Sequence, residues 1–354
     1  MTSVNQTAIW IKNPLAIFAE NSDGGVVIKD QKIIELVPLG RSPVSNFDET
    51  YDASDSVILP GLINTHHHFY QTLTRAYPEA LNKELFPWLK SLYKVWANIQ
   101  PEMLAVSTEL ALSELLLSGC TTASDHHYLF PSQLENAIDI QVEEAQKLGM
   151  RVVLTRGSMS LGEKDGGLPP QSVVQTKEQI LSDSERLIKT YHDSQEGAMT
   201  QIALAPCSPF SVTTDLMIET AALAEQYDVR LHTHLAETID EENFCLEKFG
   251  LRTVDYLESV GWLSNRTWLA HGIHFNKDEI KKLGQSGVGI CHCPTSNMML
   301  ASGICHSLEL EEAGSIIGLG VDGSASNDGS NMIAELRQAM YLQRLRYGAS
   351  KITH

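Results

Sequence analysis

Histidine and acidic side chains recur in short groups along this sequence, and such residues bind divalent metals or transfer protons. Residues 61–70 read GLINTHHHFY and residues 231–237 read LHTHLAE, while LAHGIHF and GLGVDGSASND follow further along. The candidates are His66, His67, His68, Asp125, His126, His127, His232, His234, Glu237, His271 and Asp322. Imidazole and carboxylate ligands suit Zn²⁺, with Fe²⁺ as an alternative. The pattern therefore predicts a site for a divalent metal ion.

The spacing within the histidine triplet narrows the choice of ligands. Side chains alternate along a β-strand, so residues two positions apart point to the same side. His66 and His68 form such a pair. His67 is expected to point away from them, into the barrel wall, as a structural residue or one that supports the site.

The segment LHTHLAE contains a second pair of this kind, His232 and His234. Glu237 lies just past the predicted end of the strand, three residues after His234. From there its carboxylate can reach a water molecule bound at the metal beside His234. It is too far along the chain to reach the level of the strand at which the His232 side chain lies. We therefore expect His234 and Glu237 to face the metal.

Eight β-rich runs carry or precede these groups. They alternate with helical runs such as MLAVSTELALSELLLSG and TDLMIETAALAEQYD, whose apolar residues recur every three or four positions. Strands are predicted at 57–66, 121–126, 151–155, 201–205, 229–234, 267–271, 287–291 and 316–321. Eight alternating βα units indicate a parallel (β/α)₈ TIM barrel, whose catalytic groups lie at the C-terminal ends of the strands.

The first 58 residues differ from the rest of the chain. Short β-rich runs are separated there by Asn-Pro, Gly-Gly and Pro, which is typical of an antiparallel β unit. We predict a small β-sandwich part at 1–58 and the barrel hydrolase domain at 59–354. One helical run and ASKITH follow the eighth strand, so the β unit is expected to lack its C-terminal strands and the chain to be truncated. Such a unit would expose apolar β surface.

Composition and charge restrict the partners. The formal net charge is −18, which disfavours nucleic acid and anionic membrane surfaces but allows a small neutral heterocycle. The six scattered cysteines indicate reduced thiols in a cytoplasmic protein. No signal peptide or membrane-spanning stretch is indicated. A homo-oligomer remains an open alternative.

Taken together, these segments resemble the amidohydrolase superfamily, in its metal-dependent aminohydrolase branch. PGLINTHHHF looks like the first-strand motif, LHTHLAE the fifth, LAHGIHF the sixth, CHCPTSN the seventh and GLGVDGSASND the eighth. The resemblance implies the ligands His66, His68, His234 and Asp322, with His271 beside the metal. Members with two metals bridge them through a modified lysine on strand four. QIALAPCSP has no lysine, so one ion, Zn²⁺ or Fe²⁺, is expected.

The same resemblance implies hydrolytic deamination. A bound Zn²⁺ brings the pKa of water toward neutrality. Asp322 would take the first proton, Glu237 would pass a proton to a ring nitrogen and on to the leaving amine, and His271 would polarise the attacked centre. The other zinc deaminase class needs H-x-E and P-C-x-x-C, and neither APCSPF nor CHCPTS supplies the latter.

The segment HHHFYQTLTRAYPEALNKELFPWL is most similar to that of 8-oxoguanine deaminases, which implies conversion of 8-oxoguanine and water to urate and ammonia. Gln71 offers an amide donor and acceptor to the edge of such a base. Trp88, Arg156 and Cys207 are further pocket candidates. For each of the four, a packing role or a salt bridge is the competing interpretation.

Other functions fit the same motifs. A guanine or isocytosine deaminase, a hydroxyatrazine-type aminohydrolase, a triazine chlorohydrolase and an S-adenosylhomocysteine or adenosine-type deaminase share this metal site. A nucleoside would need room for its ribose beyond Gln71. A metal-binding scaffold without activity is a third class of function, and Glu237 argues against it because a scaffold has no need of a proton-transferring carboxylate.

Overall fold

The computed structural model describes residues 7–352, which form two compact units. One unit comprises the described residues up to Gly61 together with Gln195–Gly197. The other comprises Leu62–Ser194 and the described residues from Ala198 onward. The sequence-based domain boundary between residues 58 and 59 remains a prediction.

The first unit consists of short β-strands. They are β1 (Ala8–Lys12), β2 (Ala16–Ile17), β3 (Gly25–Lys29), β4 (Lys32–Val37), β5 (Glu49–Asp52) and β6 (Val57–Ile58). One sheet has the order β4-β3-β1-β5, and β2 pairs with β6. The pairs β1–β3 and β3–β4 are antiparallel, whereas β1–β5 and β2–β6 are parallel, so the unit is mixed rather than antiparallel. Phe18, Ile33 and Leu36 are exposed on it.

In the described part of the chain, the second unit is built around a main sheet of eight parallel strands, beside which β8 and β16 form a separate pair. Its strands are β7 (Leu62–Asn64), β8 (His67–His68), β9 (Cys120–His127), β10 (Arg151–Ser158), β11 (Thr200–Pro206), β12 (Leu231–Leu235), β13 (Thr267–His271), β14 (Gly289–His292), β15 (Ile317–Leu319) and β16 (Asp322–Gly323). The main sheet has the order β15-β14-β13-β12-β11-β10-β9-β7. Thr65 N donates to the Leu319 carbonyl oxygen (2.9 Å), and β8 pairs with β16, which brings the two edges together. The predicted (β/α)₈ barrel is confirmed.

One predicted strand is wrong in its extent. Residues 57–66 do not form a single strand, because Val57–Ile58 pairs with Ala16–Ile17 in the first unit. Pro60 and Gly61 then interrupt the extended run, and Leu62–Asn64 begins the barrel. The break explains why one apolar stretch serves both units.

Within residues 7–352, eleven α-helices accompany the barrel strands. They are α1 (Leu85–Trp96), α2 (Pro101–Leu117), α3 (Ala137–Leu148), α4 (Lys177–Tyr191), α5 (Thr214–Tyr227), α6 (Ile239–Phe249), α7 (Thr253–Ser259), α8 (Lys277–Gln285), α9 (Pro294–Met299), α10 (Ser307–Ala313) and α11 (Met332–Tyr347). Capping boxes begin α4 and α8, and left-handed glycines follow α3 and α6. None of the helices in the described chain combines the length and apolar character that a bilayer crossing demands.

Helix α1 is the element that most directly shapes the site. It lies in the long connection between β8 and α2, after 3₁₀ turns at Phe69–Thr74 and Pro78–Ala80. Its buried face includes Leu85, Trp88 and Tyr93. The first strand therefore delivers histidines to the barrel mouth, and the connection that follows supplies a wall.

Candidate metal centre and active site

The four side chains assigned as metal ligands converge at the mouth of the barrel. His66 and His68 lie at the first strand, His234 on β12 and Asp322 on β16, and all four are buried. His68 Nε2 lies 3.2 Å from His234 Nε2 and 3.2 Å from Asp322 Oδ1, and His66 Nε2 lies 3.3 Å from the same oxygen. Three nitrogens and one oxygen thus face a common point.

Hydrogen bonds at the far side of two rings determine their tautomers. His68 Nδ1 donates to the carbonyl oxygen of His126 (2.7 Å), and His234 Nδ1 donates to that of Cys207 (2.6 Å). A neutral imidazole has one N–H, so each Nε2 carries a lone pair. Two lone pairs that face each other at 3.2 Å repel unless a cation lies between them.

The third histidine is oriented by a histidine behind it. His232 Nδ1 donates to the carbonyl oxygen of Trp268 (2.8 Å), which leaves His232 Nε2 as the acceptor from His66 Nδ1 (2.8 Å). His66 Nε2 therefore also carries a lone pair, and it has no hydrogen-bond partner among the described residues. It faces the carboxylate of Asp322, a second electron-rich group.

This donor set fits a zinc ion. Three of its six ligand–ligand distances are 3.2–3.3 Å. A regular tetrahedron with edges of this length has its centre about 2.0 Å from each corner, which matches Zn–N and Zn–O bond lengths. The nitrogens of His66, His234 and His271 also lie within 4.8 Å of one another. His271 is therefore close to the same point without belonging to the 3.2–3.3 Å set.

A pocket opens onto this centre. It is lined by His68, Gln71, Leu85, Trp88, Leu89, Tyr93, Tyr128, Cys207, Phe210, His234, Glu237, His271, Leu300, Asp322 and Ser326. Strand ends provide its titratable groups, whereas α1 provides mainly apolar and aromatic side chains. An apolar cleft with a few convergent polar groups is the usual form of a small-molecule site.

Glu237 follows β12 and reaches into the pocket. Its Oε2 lies 3.4 Å from His271 Nε2, and Ser302 Oγ donates to its Oε1 (3.3 Å). Burial raises the pKa of Glu237 well above its usual range, and the charge of Asp322 raises it further. A raised pKa favours the protonated form, so this carboxyl group is suited to donate a proton.

His271 ends β13 with a positive φ of 75°, a conformation that turns its side chain toward the pocket at some cost in strain. Asn297 Nδ2 donates to His271 Nδ1 (3.1 Å), which leaves the proton on Nε2, facing Glu237. Burial lowers the pKa of His271 to about 3, so the ring is neutral. A neutral ring with Nε2–H can donate a hydrogen bond to a bound water or substrate oxygen.

The two oxygens of Asp322 are held differently. Ser296 Oγ donates to Oδ2 (2.6 Å), and the backbone N–H of Gly323 donates to Oδ1 (2.7 Å). Oδ1 is also the atom that faces His66 and His68. The serine therefore orients the carboxylate and leaves Oδ1 toward the common point.

Three of the predicted substrate contacts line the pocket, namely Gln71, Trp88 and Cys207. The buried amide of Gln71 packs against Gly323, where a Cβ would lie 1.8 Å from Gln71 Oε1. That oxygen has no hydrogen-bond partner among the described residues. Glycine at this position lets the amide lie beside Asp322.

The structure does not bring Arg156 to the pocket. Its guanidinium binds Asp183, Gln175 and the Gly157 carbonyl oxygen, and lies 3.8 Å over the Phe130 ring. All of its faces are occupied, so the competing interpretation, an ion pair, describes its contacts better. The position of Arg156 near the end of a predicted strand did not show that its side chain would be buried away from the barrel mouth.

His67 points away from the pocket. Its Nε2 lies 2.9 Å from Ser330 Oγ, and its Nδ1 accepts from the backbone N–H of His68. Two histidines at the end of β9 had no role assigned from the sequence. His126 Nε2 donates to the Ala205 carbonyl oxygen, and His127 Nε2 donates to that of Leu129.

Sequence reasoning named His232 without giving it a role, and it missed two further residues of the site. His232 orients His66, Tyr93 lines the pocket from α1, and Glu241 accepts hydrogen bonds from the backbone N–H groups of Ala236 and Glu237. Only the i, i+2 spacing of His232 gave a signal. The contacts of the other two depend on tertiary structure.

Comparison with known proteins identifies the family. The profile of the amidohydrolase family matches residues 57–353. The chain belongs to the amidohydrolase family. An 8-oxoguanine deaminase from Pseudomonas aeruginosa is 67% identical over 347 residues, which cover 97% of this chain and 77% of that protein. An isoxanthopterin deaminase from an unknown prokaryotic organism is 37% identical over 84% of this chain and 62% of that protein.

Solved amidohydrolase structures share the architecture. An atrazine chlorohydrolase from Arthrobacter aurescens, complexed with zinc, has a TM-score of 0.89 at 31% identity and covers 96% of this chain and 77% of that chain. Amidohydrolases are metal-dependent hydrolases, in agreement with the lone pairs that converge here. The resemblance inferred from the sequence motifs is confirmed.

Proposed function

We propose that the protein hydrolyses 8-oxoguanine to urate and ammonia with the help of one divalent metal ion, most simply Zn²⁺, with Fe²⁺ as the alternative. The observation that carries the substrate is the 67% identity to an 8-oxoguanine deaminase over 97% of the chain. Identities of 37% to an isoxanthopterin deaminase and 31% to an atrazine chlorohydrolase give these other substrates weaker support.

His66, His68, His234 and Asp322 would hold the ion. Their tautomers support this assignment, because each histidine presents an unprotonated Nε2 at one point. When bound, the ion lowers the pKa of a water molecule and so makes a nucleophile available at neutral pH. The residues around it then orient the base and move the protons.

Glu237 would handle the proton at the substrate ring. Burial raises its pKa and so favours the protonated carboxyl group, which can donate to the ring nitrogen beside the attacked carbon. Asp322 would accept the first proton that the attacking water loses, and Glu237 would then carry the remaining hydroxyl proton of the adduct on to the exocyclic amine. The C–N bond then breaks, ammonia leaves and the carbon keeps the oxygen as a carbonyl, while the proton held by Asp322 would return to Glu237 and restore the starting state.

His271 and Gln71 would orient the reactants. The neutral His271 ring donates through Nε2, the atom that faces Glu237, and can hold the water's oxygen near the attacked carbon. The amide of Gln71 offers an acceptor beside Asp322, which suits the N–H next to the exocyclic amine of the base. Trp88 and Cys207 complete the pocket by shape.

We also propose that the protein acts in the cytoplasm on a free base, without nucleic acid or membrane as partner. All six cysteines are buried free thiols, which suits a reducing compartment. The net charge of −18 disfavours a polynucleotide substrate. A homo-oligomer is an alternative to a monomer, and the mass of the protein in solution distinguishes the two.

Ammonia release from a panel of heterocycles tests the proposed function. The zinc-loaded protein is incubated with 8-oxoguanine, guanine, isocytosine, cytosine and a hydroxytriazine amine. We expect the highest kcat/KM for 8-oxoguanine, with urate as the second product. Absence of turnover on 8-oxoguanine, or a clear preference for the triazine, would refute the substrate assignment.

A further inference from the structure

Helix α1 forms a pocket wall that the catalytic assignment leaves unexplained. Leu85, Trp88, Leu89 and Tyr93 all line the pocket, and Phe86 of the same helix packs on Phe210 with 4.9 Å between ring centroids. The metal ligands, by contrast, come from strand ends. The pocket thus has an end with proton-transferring groups and a largely apolar wall.

The hydroxyl of Tyr93 is the unusual group on that wall. Tyr93 is 1% exposed, and its hydroxyl has no hydrogen-bond partner among the described residues. A buried hydroxyl without a partner destabilises a protein, because it has given up its hydrogen bonds to water and gained none. Because Tyr93 lines a binding pocket, a bound ligand can supply the hydrogen-bond partner that its hydroxyl lacks.

Gln71 lines the same pocket, from the 3₁₀ turn that follows β8 rather than from α1. Its amide packs against Gly323, next to the ligand Asp322. Gln71 therefore serves the edge of the base that carries the exocyclic amine. A base held at that edge directs its five-membered ring, which lies away from the amine, toward the rest of the lining, to which α1 contributes Tyr93.

The five-membered ring is also where 8-oxoguanine differs from guanine. The oxidised base carries an oxygen at C8 and a proton at N7, whereas guanine has C8–H and an unprotonated N7. Both bases share the exocyclic amine and the oxygen at C6. A residue that distinguishes them must act on the oxidised ring, and a hydroxyl donates well to a carbonyl oxygen.

We propose that Tyr93 selects 8-oxoguanine over guanine by donating a hydrogen bond from its hydroxyl to the oxygen at C8. This inference rests on the proposed function and adds to it the residue that recognises oxidation. A site that hydrogen-bonds a substrate group discriminates strongly against an analogue without that group, since the buried partner is then left unpaired.

The substitution Tyr93→Phe in the zinc-loaded full chain tests the proposal. The measurements are kcat/KM for 8-oxoguanine and the inhibition constants of urate and xanthine, the products from the oxidised and the unoxidised base. We expect about tenfold lower kcat/KM and about tenfold weaker inhibition by urate, the effect of one lost hydrogen bond. Xanthine has no oxygen at C8, so its inhibition constant should stay within about twofold.

Stability and a matched control complete the test. Because the hydroxyl has no partner in the free protein, Tyr93→Phe should not lower the free energy of unfolding. Tyr256 on α7 has a similarly buried, unpartnered hydroxyl and is absent from the pocket lining, so Tyr256→Phe should leave both inhibition constants unchanged.

Two results would overturn the role of Tyr93 while leaving the function intact. One is an active Tyr93→Phe protein with unchanged urate inhibition, and the other is equal weakening of urate and xanthine. A wild-type protein that does not convert 8-oxoguanine would instead overturn the proposed function and the inference together.

Discussion

Each histidine assigned to the metal is fixed by a hydrogen bond on the side away from the metal. For His68 and His234 the acceptor is a backbone carbonyl, and for His66 it is His232. Such outer partners orient ligands and set their tautomers. The relay from Trp268 through His232 to His66 therefore has a measurable consequence for metal affinity.

We predict that His232→Leu weakens zinc binding about 10- to 100-fold, because His66 loses the acceptor that directs its lone pair to the metal. His232→Gln should retain most of the affinity, since its amide oxygen can accept from His66 Nδ1. Competition with a chromophoric chelator measures the affinity. His127→Leu, which removes an equally buried histidine outside the relay, is the control, and equal affinity of all four proteins would contradict the relay.

Glu237 should control the rate without affecting the metal. We expect Glu237→Gln to lower kcat for 8-oxoguanine about 10²- to 10⁴-fold, the contribution of a general acid–base group. Zinc content, measured by emission spectroscopy, should not change. Glu242→Gln, a buried neighbour that pairs with Arg252, serves as the matched control. Full activity of Glu237→Gln would rule out the proposed proton transfer.

At the scale of elements, the turn between β12 and α6 is held by a buried carboxylate. Glu241, in the first turn of α6, accepts from the backbone N–H groups of Ala236 (3.0 Å) and Glu237 (2.9 Å). Ala236 has a positive φ of 53°, so the two hydrogen bonds stabilise a strained turn. Since the backbone N–H of Glu237 is one of the two donors, the conformation of this turn sets the position of Glu237.

Burial raises the pKa of Glu241 to about 7, although the two backbone hydrogen bonds oppose the shift. The folded state then holds the proton more tightly than the unfolded chain, whose pKa is about 4.3. This contribution to stability is complete below about pH 4 and is lost as the pH rises to about 7. Urea titrations between about pH 5 and 8 should show a shallower decline for Glu241→Gln than for wild type. Parallel curves would contradict the assigned pKa.

The barrel and the ligand set could be predicted because they depend on local patterns. Alternation distinguishes His66 and His68 from His67, and βα repetition brings Asp322 to the same edge as His234. Arg156 was misplaced because its partners, among them Asp183, lie on other elements. Tyr93 and Glu241 escaped notice for the same reason, since helix packing alone directs them.

At the scale of the whole molecule, two properties have opposite effects on self-association. Exposed apolar side chains on the first unit favour it, and the strongly acidic composition disfavours it. Ile33 and Leu36 on β4 are 66% and 42% exposed. The net charge of −18 keeps chains apart at low salt, and salt screens that repulsion. Self-association should therefore increase with ionic strength.

We predict that Ile33→Thr combined with Leu36→Thr reduces this association, as measured by static light scattering at high salt, with unchanged kcat. The reason is that the substitutions remove exposed apolar area outside the barrel. Val37→Thr, at a fully buried position of the same strand, should instead lower stability. If the double substitution does not change the association, Ile33 and Leu36 do not form the associating surface.

The central claim is that one metal ion, held by three histidines and an aspartate, makes this chain a hydrolase of an oxidised purine. Its most direct test is to titrate the metal-free protein with Zn²⁺ and record urate formation from 8-oxoguanine at each addition. We predict that the rate rises linearly and reaches its plateau at one equivalent of zinc. A plateau at two equivalents, or no urate at any zinc concentration, would contradict the account.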